Sequence, residues 1–399
     1  MIERRQASGA WQLSPVEEAF GVALGRGTGP SLERSSASCS PRLAIEAIVR
    51  RALQSPPCVV SFSGGRDSSA ILAVAADLAR REGHAPPIAV TLRFPAVSST
   101  DETEWQRSVA DHVGVADWVQ VDMGDELDIL GDTARDLISR HGVLWPFNTH
   151  FHYPMARAAR GGTLVTGFGG DEIMTAGWPW ERVNRLLSRT VAPRRSDLAL
   201  VLAAHAPLTL RRAAVRRAWT DPYLETSWMT GPALALAAEL RREEQSRSPV
   251  RFDEVLRTAY WPSRYRTLAV DSLSRLGQDH GAGLEHPFAD QQFVNAMADQ
   301  HGRHAPVSRL AAMTDLVGDL LPTSILGRES KAEFRGAFFG PGARSFASTW
   351  DGTGADPAIV DVEHLRSSWR DPDVGTMSAA SFTLFQAIWS RTQEPRPVL

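Results

Sequence analysis

Residues 58–69 read Cys58-Val59-Val60-Ser61-Phe62-Ser63-Gly64-Gly65-Arg66-Asp67-Ser68-Ser69 and run directly into Ala70-Ile71-Leu72-Ala73-Val74-Ala75-Ala76. An apolar run, a glycine pair and a second apolar stretch, in that order, describe a strand, a tight turn and a helix. Adjacent glycines let the backbone take positive φ and come close to a ligand. Ser63, Ser68, Ser69 and the first N–H groups of the helix then face an anion, just beyond Ser61 at the strand end. Asp67 is out of place in a bare anion site. It makes sense beside a divalent cation, because Mg2+ is held by one or two carboxylates together with substrate phosphates. No lysine follows the glycines, so the turn is not of the Walker type. The competing reading is a tight turn that binds nothing.

Around this turn, apolar strands alternate with helices. A helix is expected from Ser40-Pro41 through Ala44 to Leu53, a strand at Val59, a helix to Glu82 and a strand over Ile88 to Phe94. An acidic helix start follows at Ser99-Thr100-Asp101-Glu102, and another strand over Asp117 to Val121. Such alternation predicts a doubly wound parallel sheet of the α/β class. Gly161-Gly162-Thr163-Leu164-Val165-Thr166-Gly167 repeats the strand-then-glycine pattern, which brings a second loop to the same carboxyl edge, where ligands of such sheets bind. Beyond residue 180 the pattern turns helical and rich in Arg, Ala and Leu. The organisation expected is an extension and linker over 1–40, a nucleotide-binding core over 41–180 and a large helical C-terminal part over 181–399.

The chain of 399 residues has a formal net charge of −3, which argues against a general nucleic-acid binder. The pairs Arg194-Arg195, Arg211-Arg212, Arg216-Arg217 and Arg241-Arg242 read as solvated helix faces, with an acidic partner at Arg211 to Arg217 as the alternative. Cys39 and Cys58 are the only cysteines, and no apolar run is long enough to span a bilayer. A cytoplasmic enzyme with no membrane or nucleic-acid partner is expected.

The first turn resembles the S-G-G-x-D-S pyrophosphate loop of the N-type ATP pyrophosphatases, which cleave ATP between the α- and β-phosphates. Thr166-Gly167-Phe168-Gly169-Gly170-Asp171-Glu172 resembles the G-x-G-[GS]-D-E motif that accompanies it in the synthetase domain of asparagine synthetase and its relatives. Ser99 to Glu104 looks like that family's acidic helix start, and Gly283-Leu284-Glu285-His286-Pro287-Phe288-Ala289-Asp290 like its G-x-E-x-R-x-P-F-x-D stretch. Leu320-Leu321-Pro322 through Arg328, Lys331 and Phe334 looks like its late segment. The resemblance implies an adenine-nucleotide α-hydrolase-like sheet that uses ATP and Mg2+. Ser61, Ser63, Gly64, Gly65, Asp67, Ser68, Gly169 and Gly170 would bind the nucleotide, and Asp67 and Asp171 the metal. It also implies that Lys331 contacts the α-phosphate and the charge developing during acyl transfer, and that Glu285 orients a catalytic base. Taken alone, Lys331 could be a surface lysine and Glu285 half of a structural salt bridge.

Several features depart from asparagine synthetase. Ile2 follows Met1 where that enzyme exposes a cysteine, and few residues precede the synthetase region, so no glutaminase domain is expected. Phe168 stands at a position held by an acid in asparagine synthetase and a tyrosine in β-lactam synthetase. Deprotonation of the amine then falls to Glu285, His286, Glu172 or the substrate's phosphate. Trp145-Pro146-Phe147-Asn148, the Arg328-Glu329-Ser330-Lys331 spacing and Phe382-Thr383-Leu384-Phe385-Gln386-Ala387-Ile388-Trp389 look more like lasso-peptide cyclases. The expected function is amide-bond formation through an acyl-adenylate, closing a macrolactam in a ribosomal peptide, with a leader-peptide-binding protein and a protease as possible partners. The alternatives are a small-molecule amide or β-lactam-type synthetase, a tRNA-modifying relative, and a non-catalytic nucleotide-binding partner. Trp145, Trp178 and Trp180 flank the second loop and belong either to its pocket or to the core.

Overall fold

The computed structural model describes residues 12–25, 27, 29–34, 39–174, 177–218, 226–328, 332, 334–370 and 380–393. Strands β1 (Cys58–Ser61), β2 (Ile88–Arg93), β3 (Asp117–Asp122), β4 (Thr163–Val165) and β5 (Gly283–Glu285) form one parallel sheet in the order β3-β2-β1-β4-β5. Helices α1 (Pro15–Phe20), α2 (Pro41–Leu53), α3 (Arg66–Glu82), α4 (Thr103–Val113), α5 (Asp132–His141), α6 (Tyr153–Ala158) and α7 (Gly170–Met174) alternate with the first four strands, and further helices follow.

The central strand is buried on both faces, which is why it reads as an unbroken apolar run. Cys58 and Val60 pack with Ile45, Ile48, Ile71 and Leu72 of α2 and α3, together with Phe293 and Met313 of later helices. Val59 faces the other layer, built from Leu137 of α5, Met155 of α6 and Leu273 and Leu276 of the helix Arg264–His280. Both cysteines are free, and burial pushes the Cys58 thiol up to about 12.

β1 pairs with β2 on one side and β4 on the other. The chain therefore winds outward through β2 and β3, then returns to the opposite side of β1. The loops after β1 and β4 leave this reversal point in different directions and open a crevice at the carboxyl edge of the sheet.

Two features of the fold lay beyond the sequence reading. The fifth strand comes from the helical C-terminal part: Gly283–Glu285 pairs with β4 through Thr163↔Gly283 and Val165↔Glu285. The segment over 1–40, read as a short helix followed by a linker, is also tied down to the rest of the fold. α1 carries a capping box between Ser14 and Glu17, and its Ala19 carbonyl accepts from Trp228 Nε1 at 2.8 Å. Six residues are well short of the roughly 12–15 that an isolated helix needs. α1 persists because Val16 and Phe20 join a C-terminal aromatic core with Trp369, Phe382 and Phe385, each such burial contributing about 1.5–3 kcal/mol. Leu32 is likewise buried, with its N–H on the Arg257 carbonyl at 3.0 Å.

Candidate active site at the carboxyl edge

The turn after β1 is shaped from behind. Gly64 adopts φ +81°, and a Cβ there would meet Gln106 Cγ at 2.8 Å, so a side chain is excluded by both conformation and space. Trp105 Nε1 donates to the Gly64 carbonyl at 2.9 Å and Gln106 Nε2 to the Ser63 carbonyl at 3.1 Å. α4 thereby occupies two of the turn's carbonyl acceptors. The Ser63 and Ser68 hydroxyls lie 3.2 Å apart, the Ser63 N–H donates to Ser68 Oγ, and Ser68 Oγ donates to the Gly65 carbonyl at 3.1 Å. Gly65 caps α3 with no side-chain acceptor of its own. The first N–H groups of that helix have no intrahelical partner and lie at the positive end of its dipole.

The second loop meets the first across the reversal point. A Cβ on Gly167 would lie 3.1 Å from both Asp67 Cβ and the Ser68 nitrogen, and one on Gly170 would lie 2.5 Å from Asp67 Cγ. Gly169 takes φ +95°, with Tyr260 Oη and the Ala289 nitrogen each 3.0 Å from a would-be Cβ. These glycines let two backbones close on one carboxylate. Asp67 from α3 and Asp171 from α7 then converge on a single cation that the chain supplies. Arg309 Nη2 donates to Asp67 Oδ1 and Oδ2 at 2.6 and 2.7 Å, and Nη1 donates to Asp171 Oδ1.

This convergence fits a divalent ion. Among the described residues no three His, Cys, Asp or Glu side chains gather as a metal cage. An ion here would be held by Asp67 and Asp171 and completed by phosphate or water oxygens, as Mg2+ is in nucleotide sites.

The other predicted residues fall in different places. Both carboxylate oxygens of Glu285 accept from Arg51, at 3.1 and 3.0 Å, so the salt-bridge alternative describes it as the fold stands. His286 is buried, its Nδ1 shares a 2.7 Å hydrogen bond with Thr166 Oγ1, and burial holds its pKa down to about 3. It is neutral at physiological pH and a poor proton acceptor. Lys331 lies outside the described residues. Arg328 reaches the acidic helix start, donating to Glu102 and lying 4.7 Å over the Trp105 ring. Trp145 and Trp180 are buried as core. Arg211 lies over the Trp180 ring and Arg212 pairs with Glu243, so neither is a freely solvated cation.

Three side chains absent from the sequence reading complete the site. Arg309 is the first. Tyr265 donates to Glu172 Oε1 at 2.5 Å, and its ring stacks beside Phe168 with centroids 6.5 Å apart. Among the described residues the buried Tyr260 hydroxyl has no hydrogen-bond partner, and it sits against Gly169. A charge-balance argument could have asked for Arg309, since two acids beside an anion turn need a cation; nothing local singles out either tyrosine.

A parallel sheet with a glycine anion turn and a second, acidic glycine loop at its reversal point defines a nucleotide-using α/β enzyme. Residues 42–389 match the asparagine synthase family, and the chain belongs to it. That membership supports ATP-dependent carbon–nitrogen ligation as the chemistry of the site. No curated protein matches the chain. Among solved structures, NAD+ synthetase from Burkholderia pseudomallei is similar at 16% identity over 52% of this chain and 93% of that one, with a TM-score of 0.22. Among the described residues no helix is long and apolar enough to cross a membrane.

Proposed function

We propose that the protein forms an amide bond through an acyl-adenylate and that its substrate is a peptide carrying both the acid and the amine, closed into a lasso-type macrolactam. The observation that carries the reading is the convergence of Asp67 and Asp171 beside the anion turn. The substrate carboxylate attacks the α-phosphorus of ATP and pyrophosphate leaves. The amine nitrogen then attacks the acyl carbon, AMP leaves, and the amine's proton passes to a base. Mg2+ held by Asp67 and Asp171 would supply charge neutralisation on the phosphates.

Glu172 is the base this geometry favours. Glu285 is engaged by Arg51 and His286 is held neutral, whereas Glu172 lies one residue from Asp171 with its carboxylate positioned by Tyr265. Ring closure in one bound peptide makes aminolysis intramolecular, which favours it over hydrolysis of the adenylate. Two of the three segments that resemble peptide cyclases pack together: the Phe147 ring lies 5.1 Å from Phe382, and Gln386 Nε2 donates to the Phe147 carbonyl at 3.3 Å.

The test is peptide-dependent release of pyrophosphate and formation of a cyclic product lacking one water. Release driven only by a separate acid and amine would replace the macrolactam reading with a small-molecule ligase. Lys331→Ala is expected to keep ATP binding and to slow product formation by roughly 10²–10³-fold, the usual cost of removing one stabilising contact to developing charge. Unchanged turnover would remove Lys331 from the mechanism.

A further inference from the structure

Arg309 begins the helix Arg309–Val317, whose N-cap Ser308 accepts from the Ala311 N–H at 3.1 Å. Local helix energetics do not explain an arginine there, since that end of the dipole favours anions. Its guanidinium instead spans both site acids, with side-chain exposures of 12% for Arg309, 17% for Asp67 and 51% for Asp171. Arginine keeps its charge at any working pH, so proton loss cannot open this contact. Only a competing cation for the acids, or a competing anion for the guanidinium, can do so.

Building on the nucleotide reading above, we infer that Arg309 is a tethered counter-ion: without nucleotide it holds the position between Asp67 and Asp171 that the divalent cation takes. A bare hydrated cation must shed water and displace a bidentate ion pair, gaining only two carboxylates in return. A cation carried in on ATP brings phosphates that offer the guanidinium a new bidentate acceptor. Metal and nucleotide binding are therefore coupled, each raising the affinity for the other. The device keeps the acids neutralised in the empty site and keeps the metal from binding alone.

The test titrates Mn2+ without nucleotide into the wild type and Arg309→Gln, reading free Mn2+ by electron paramagnetic resonance, and then measures ATP·Mg2+ binding calorimetrically in both. Removing the guanidinium takes away the cation that competes for Asp67 and Asp171, so Arg309→Gln is expected to bind Mn2+ at least about tenfold more tightly than the wild type. Its ATP·Mg2+ affinity is expected to fall. Should Arg309→Gln fail to fold, Arg309→Lys replaces it. With a single point charge that cannot span both acids, it is also expected to bind Mn2+ more tightly than the wild type. Bare Mn2+ binding that is no tighter in the variant overturns the counter-ion, and if the wild type still binds ATP·Mg2+ the nucleotide reading survives. A wild type that binds no ATP·Mg2+ refutes that reading and, with it, the coupling.

Discussion

Gly170→Ala is expected to weaken ATP·Mg2+ binding by about 100-fold or more, equivalent to about 2.7 kcal/mol, while leaving the protein folded. The added Cβ would sit 2.5 Å from Asp67 Cγ and 2.7 and 2.8 Å from its two oxygens. Something must move. The mobile group is the Asp67 carboxylate, a short side chain rooted in the first turn of α3, and turning it away breaks its convergence with Asp171. Overpacking of this kind costs about 1–3 kcal/mol of stability, which a shift in the melting curve would register. Gly231→Ala is the control: a Cβ there meets none of the described residues within 4 Å, so binding should not change. Wild-type affinity in Gly170→Ala would mean that Asp67 need not hold its observed position.

Glu172→Gln is expected to slow amide formation by roughly 10²–10⁴-fold, the range for losing a general base, with little change in ATP affinity. Glu172 and Asp171 are consecutive on α7, so their side chains diverge by about 100° and serve different partners. The glutamine analogue keeps the shape and an acceptor for the Tyr265 hydroxyl but cannot take a proton. Pyrophosphate release should persist, because adenylation precedes aminolysis. Tyr265→Phe should give a smaller loss, since it removes the hydroxyl that places the carboxylate and leaves the base itself in place. Full-rate product formation in Glu172→Gln would assign the proton to another group. His286 is a poor substitute, because its neutral ring gains a proton only near pH 3.

Much of the fold was legible because its signals are local. β1 and β4 are apolar runs that end in glycine turns, and α3 starts at Gly65 and stops at Gly83 in the left-handed region. β5 was not legible: its three residues are partly exposed, carry no apolar run and owe their extended form to pairing with β4. The same distinction runs through the site. The glycine loops and both aspartates stand in short motifs, so spacing alone places them at one sheet edge. Arg309 reaches Asp67 across 242 residues of sequence and Tyr265 reaches Glu172 across 93, contacts that only tertiary structure reveals. Glu285 is a third case: its motif suggested a role beside the base, a salt bridge was the other reading of the residue alone, and the partner, Arg51 on α2, lies 234 residues away in sequence.

The central claim is that Asp67 and Asp171, from two loops of one sheet edge, jointly bind a metal–nucleotide complex. Calorimetric titration of Mg2+ and ATP into the wild type, Asp67→Asn and Asp171→Asn tests it without knowledge of the substrate. The account predicts a single wild-type site that each substitution weakens by at least about tenfold, or about 1.4 kcal/mol. Wild-type affinity in either variant would contradict the shared site, and no binding to the wild type would contradict the nucleotide reading itself.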